Sequence, residues 1–131
     1  MSESGMPEFL VQVRYTAAAW KQLIDSPEDR LEAVKPAVAG CGGVVIRKDF
    51  VLAGDFDLVA IIQFPDVPCA AAFYMAVMAG GAVADMKITP LFNIKRGMAA
   101  MTMSKNLKYQ FPGKPGSAPA TGNAGRRARK A

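Results

Sequence analysis

Phe9, Val11, Val13 and Tyr15 alternate with Leu10, Gln12 and Arg14. A period of two predicts a strand with one well-buried face. The period then lengthens. Trp20, Leu23 and Ile24 fall three and four apart, which predicts a helix from Ala17, with the Thr16 hydroxyl placed to accept a free amide of its first turn. Asp25, Ser26 and Pro27 interrupt it, and the same residues can start another helix, with Ser26 as cap and Pro27 at the first position. Leu31, Val34 and Val38 share a face of that second segment. Pro36 lies inside it and predicts a bend or an early end, because proline removes one backbone hydrogen bond.

The run Gly40-Cys41-Gly42-Gly43 stops the helix, and Val44 to Leu52 reads as a second strand with Arg47, Lys48 and Asp49 interleaved. Ala53-Gly54-Asp55 turns the chain into Phe56, Leu58, Ala60, Ile62 and Phe64, the most apolar strand face of the sequence. Strands joined so briefly must be antiparallel. Asp66 is placed to cap a helix through about Ala79, which Gly80 and Gly81 end. Val83 to Phe92 reads as a fourth strand, disturbed at Pro90 because proline cannot donate to a ladder. Residues 94 to 107, with Met98, Met101 and Leu107, read as one more helix. The order is βαββαβ, an α+β fold of the ferredoxin-like type: an antiparallel four-stranded sheet with helices on one face, plus a C-terminal helix. Residues 1–7 read as a flexible lead-in and 8–111 as one domain. From 112 to 131 the Pro, Gly, Ser and basic residues show no apolar periodicity and predict a disordered tail.

Charge sharpens this division. The net charge is +5, yet the tail alone carries Lys114, Arg126, Arg127, Arg129 and Lys130, and without these five the remaining eleven basic residues balance eleven acidic ones. The domain therefore has no overall basic field to steer a nucleic acid. Only weak polyanion contact through the tail is expected, since no aromatics are interleaved there to stack on bases. The uncharged stretch Val67–Val83 is Ala- and Gly-rich, holds Pro68, Gly80 and Gly81, and lacks Leu and Ile, so it reads as a buried helix and turn, with no membrane contact expected. Two cysteines and no signal-like N-terminus argue for the cytosol over a secreted disulfide scaffold.

Histidine is absent. That excludes histidine-based triads, His–Cys nucleophile pairs, His-ligated haem and most zinc sites within one chain. Neither a metal nor a cofactor is expected.

Over about residues 8 to 100 the chain resembles the GYD domain proteins, small bacterial and archaeal proteins whose biochemical function is generally unassigned. The matching features are Tyr15-Thr16 after the first strand, the Cys41-Gly42-Gly43 turn, and above all Gly54-Asp55-Phe56-Asp57-Leu58-Val59 followed by Pro65-Asp66. Phe56 stands where the family signature has tyrosine, so this chain lacks that phenol. The resemblance implies a ferredoxin-like fold and a dimeric α/β barrel in which two sheets meet face to face. It implies no reaction.

The candidate chemistry is correspondingly sparse. Alternation places Gln12, Arg14, Arg47, Asp57, Gln63, Asp85 and Lys87 with Val45, Val59 and Ile61 on the sheet face away from the helices. Such a mixed face suits packing between two subunits, and a homodimer is the expected partner state. The same face could instead enclose a small cleft. Asp57 reads either as an acceptor for backbone amides beside a tight turn or as an acid, base or ligand contact. Cys69 in the first turn of a helix could be an activated thiol, but Pro68, Ala70 and Ala71 supply no basic partner. Met75, Met78, Met86, Met98, Met101 and Met103 could line an adaptable pocket or simply fill the core. The leading reading is a small-molecule-binding or accessory protein with a small apolar ligand near Arg14, Tyr15, Arg47, Phe56 and Asp57. The alternative is a cofactor-independent enzyme, monooxygenase- or isomerase-like, acting on an apolar or aromatic substrate.

Overall fold

In the computed structural model, which describes residues 5–113, the first alternation becomes β1 (Glu8–Tyr15), with Phe9, Val11, Val13 and Tyr15 all buried. Thr16 caps α1 (Ala17–Asp25), its hydroxyl accepting the Ala19 amide at 3.0 Å. There follow α2 (Arg30–Gly40), β2 (Val44–Phe50), β3 (Leu58–Gln63), α3 (Val67–Gly80), β4 (Val83–Leu91) and α4 (Ile94–Ser104). The four strands form one antiparallel sheet in the order β2-β3-β1-β4. This is the ferredoxin-like α+β arrangement. Residues 1–4 and the tail from 114 onward lie outside the described residues. Among the described residues, those from Lys95 onward form a second compact unit, and α4 buries none of its side chains.

The core lies between the sheet and α1 to α3. Val38, Ile62 and Phe64 are almost completely excluded from solvent. Phe64 is flanked by the rings of Phe9 at 5.7 Å and Phe73 at 5.4 Å, which joins β1, the end of β3 and α3. Each such ring contributes about 1.5–3 kcal/mol through burial. The helix-to-strand turn before β2 is equally tight. A side chain at Gly43 would put its Cβ 2.5 Å from the Gln63 carbonyl oxygen, and Gly42 takes a φ of +81° that favours glycine.

Five expectations change. Ser26 ends α1, its amide donating to the Gln22 carbonyl, and α2 begins at Arg30 under Asp29. Asp29 is the better cap here because one carboxylate oxygen accepts both the Leu31 and Glu32 amides while the other is held by Lys48 of β2 at 2.6 Å. Pro36 does not end α2, which continues to Gly40; Pro36 and Glu32 are both exposed, so the carbonyl deprived of its donor faces water. β2 stops at Phe50 instead of Leu52: the Val51 amide still donates to the carbonyl of Asp57, the next residue across, at 2.8 Å, but the Asp57 amide donates to Val13 of β1 and does not return the bond. An irregularity between Val45 and Arg47 pairs Val45 with Ile62 on the core face, so Val44 takes the place expected for Val45 on the outer face. Pro90 pairs opposite Phe9 without disturbing the strand, because β4 is at the sheet edge; the register shift falls near Ala84.

Asp57 makes three bonds to two elements, β1 and α1. Its Oδ2 accepts the Tyr15 amide at 3.0 Å, at the end of β1, and the Trp20 indole N–H at 3.1 Å, on α1. Its own amide donates to the Val13 carbonyl at 2.7 Å. This side chain therefore lies at the strand end and not on the outer sheet face. Asp57→Ala should cost about 1–3 kcal/mol, because two N–H donors lose their acceptor. Asp57→Asn should cost much less, since its carbonyl oxygen can take the Oδ2 position. Urea unfolding of both variants checks this, and an Ala variant as stable as the parent would show that the bonds contribute nothing.

Candidate functional site

Val11, Val13 and Tyr15 of β1 and Met86 of β4 form the floor of a cleft beneath α2 and α3. Val34 of α2 and Phe73 and Val77 of α3 form its walls. The rest of the lining is mostly small: Ala37, Ala76, Gly80 and Ala82 cannot fill the space between helices and sheet, and about 250 Å³ stays open. Two residues bring polar side-chain groups to it. They are Tyr15, with its phenol, and Arg30, with its guanidinium.

Each is held from behind. The Tyr15 ring meets the Trp20 indole edge-on at 5.6 Å, and its backbone amide is fastened to Asp57. Burial pushes the phenol above its ordinary range; Arg30 offsets part of that rise, while Asp57, Asp29 and Glu28 add to it. At neutral pH the hydroxyl is therefore protonated and available as a donor. Arg30, the first residue of α2, places Nη1 2.6 Å from Glu28 Oε2. This engages one part of a planar group with five N–H donors. The amide end of α2 is already occupied by Asp29, so polar recognition in the cleft rests on these two side chains.

The residues singled out from the sequence do not form one site. Tyr15 lines the cleft, with Asp57 behind it. Arg14 and Arg47 belong to the outer sheet face, where Arg14 lies 3.5 Å from Asp85 and Arg47 2.8 Å from Asp49. Phe56 is half-buried in the loop before β3. Of the methionines, Met86 lines this cleft, while Met75, Met98, Met101 and Met103 are exposed. The Cys69 thiol is pushed up, first by its hydrogen bond to Asp66 and then by burial, with Cys41 close enough to add to the effect. Thiolate chemistry is thereby disfavoured. Among the described residues, no three His, Cys, Asp or Glu side chains gather to hold a metal, and no helix is long and apolar enough to cross a membrane.

Arg30 stands four residues before Val34 and so shares its helix face under either cap. What the sequence does not show is that this face borders an unfilled space.

The sequence model of the GYD domain family matches residues 9–101, which takes in the whole sheet, the cleft and most of α4. No curated protein and no solved structure matches the chain.

The electrostatics of Tyr15 can be read directly in a protein whose exposed Tyr74 and Tyr109 are replaced by Phe. Absorbance at 295 nm should then show one tyrosine titrating above pH 10. Arg30→Gln should move the midpoint higher, because an attraction to the phenolate is lost; Asp57→Asn should move it lower, because a repulsion is lost. A group raised on folding stabilises the fold below its unfolded value near 10.0, and that contribution disappears as the pH climbs through the folded value. An Arg30→Gln midpoint that stays put would separate Arg30 from the cleft.

Proposed function

The chain belongs to the GYD domain family, and on that premise we propose a small homodimeric protein that binds a small, largely apolar molecule between its sheet and helices. One observation carries the reading: an open cleft of about 250 Å³, walled by aliphatic and aromatic side chains and ending in one hydroxyl and one guanidinium. Apolar walls with a few convergent polar groups are the usual make-up of a small-molecule site. Packing alone does not account for an arginine and a tyrosine in an otherwise apolar lining.

The rival reading, a cofactor-independent enzyme, finds less support in this cleft. No carboxylate or thiol lines it, and Asp57 lies outside the lining with its inner oxygen taken by two N–H donors. Tyr15, held protonated, is suited to donating a hydrogen bond and poorly suited to removing a proton. The geometry favours holding a ligand over transforming one.

The homodimer rests on the other side of the sheet. Strand register puts Leu10, Val44, Val59 and Ile61 together on the outer face, with Arg14, Arg47, Asp49, Asp85 and Lys87 around them. A mixed face of this kind is suited to a second copy of itself, with the apolar middle buried and the charges at the rim.

Two measurements test the proposal. Titration with cyclohexylacetamide, followed by the fluorescence of Trp20 beside Tyr15, should saturate with a dissociation constant on the order of 1 mM or tighter. Ala76→Leu should abolish that binding by filling the cleft, and a response unchanged by this substitution would place the probe elsewhere. Sedimentation at micromolar concentration should give about twice the 13.9 kDa chain mass. Ile61→Lys should reduce this to the monomer without unfolding it; a parent protein that sediments only as monomer removes the dimer from the proposal.

A further inference from the structure

The reading of the cleft as a ligand site leaves the chemistry of the ligand open, and the two polar residues narrow it. Everything else in the lining offers hydrocarbon, a thioether or small backbone segments. Arg30 can only donate hydrogen bonds, and Tyr15 is held as a neutral donor. A ligand ending in an ammonium would meet a like charge at Arg30 and no lining carboxylate. One ending in an acceptor would meet two donors. We propose that the cleft selects small apolar carboxylic acids, with the hydrocarbon portion between α2, α3 and the sheet and the carboxylate between the Arg30 guanidinium and the Tyr15 hydroxyl. This inference rests on the binding reading given above.

Three features of the surroundings support a carboxylate. The acids nearest the polar end are engaged elsewhere: Asp29 caps α2 and is bonded to Lys48, which also holds Glu32, each at 2.6 Å. Among the described residues, Glu28 is the acid bonded to Arg30, and both side chains of that pair are well exposed, at 50% and 39%. An exposed pair of this kind is weak and leaves most of the guanidinium free for an incoming anion. Finally, the phenol cannot swing away, because its ring is set against Trp20 and its backbone is tied to Asp57. One planar guanidinium and one hydroxyl match the two oxygens of a carboxylate.

The test uses an isosteric pair, cyclohexylacetate and cyclohexylacetamide, which differ at the head alone. Full-length protein at pH 7.5 is titrated with each, by calorimetry and by Trp20 fluorescence. The acid should bind about tenfold tighter than the amide, the effect of about one charge-assisted hydrogen bond. Arg30→Met keeps a long side-chain stem and removes the charge; it should weaken the acid much more than the amide and bring the two ligands to within about twofold of each other. Tyr15→Phe keeps the ring against Trp20 and should weaken both ligands together, since a neutral donor serves either head. Melting curves of both variants establish that they are folded. If the amide and acid bind the parent equally, the cleft stands as an apolar site and the carboxylate inference is overturned. If the acid is preferred but Arg30→Met keeps the preference, the anion is held elsewhere and the inference is again overturned. If neither compound binds, the binding reading fails and takes this inference with it.

Discussion

A single carboxylate oxygen, Oδ2 of Asp57, receives the backbone amide of Tyr15 and the indole N–H of Trp20, and the placement of the site depends on it. The bond to Tyr15 fixes where β1 ends, the bond to Trp20 fixes how α1 leaves the sheet, and the backbone of Asp57 joins the same strand through Val13. Two donors sharing one half-buried anion are charge-assisted and stronger than neutral bonds of the same length. Ahead of it, the Asp57 carbonyl accepts the Val51 amide opposite, the last bond between β2 and β3, and so sets where the connecting loop begins. Loop, strand end and helix start are thus adjusted to one group. The phenol of Tyr15 inherits its position from that adjustment.

The cleft follows from the packing of small residues over a floor of larger ones. Alternation along β1 sends Val11, Val13 and Tyr15 to the helical side, and Met86 arrives from the neighbouring strand in the opposite-partner position to Val13. Above them, Ala37 and Ala76 are too short to close the gap, whereas Phe64 and Phe73 fill the space nearer β3. The space around Phe64 is therefore packed with aromatic rings, while about 250 Å³ beside Met86 stays open. Interiors are ordinarily packed to the density of organic crystals. An unfilled apolar volume beside a dense cluster, with an arginine at its end, calls for an occupant.

Much of the fold was legible because periodicity and capping agreed. The alternation of Phe9 to Tyr15, the Thr16 cap, the Asp66 cap and the Gly80-Gly81 stop all describe local physics that the tertiary structure leaves intact. The failures share a different cause. Ser26, Pro36 and Pro90 are read correctly as local signals, yet each is overruled by a partner far along the chain or by position: Lys48 supporting the Asp29 cap, solvent at the outside of α2, and the open margin of the sheet. The extra residue at Ile46 left no signature at all, and one displaced residue is enough to exchange the faces of Val44 and Val45. The site suffered most. Tyr15 could be named from its place at a strand end, but Arg30 gains a role only once the space left open between α2, α3 and the sheet is seen.

The strand order leaves β2 and β4 as the two margins, each with a row of backbone groups that a further strand could join. Both margins are spoiled for that purpose. β2 carries Arg47, Lys48 and Asp49 and bends at its irregularity, while β4 has Pro90 near one end and a register break near the other. Charges, kinks and proline are what keep natural sheets from growing sideways. Lateral growth is thereby discouraged, and the proposed pairing is left to the broad face of the sheet. Two such faces would consume each other, so assembly of this kind would terminate by symmetry at a fixed size instead of seeding fibres.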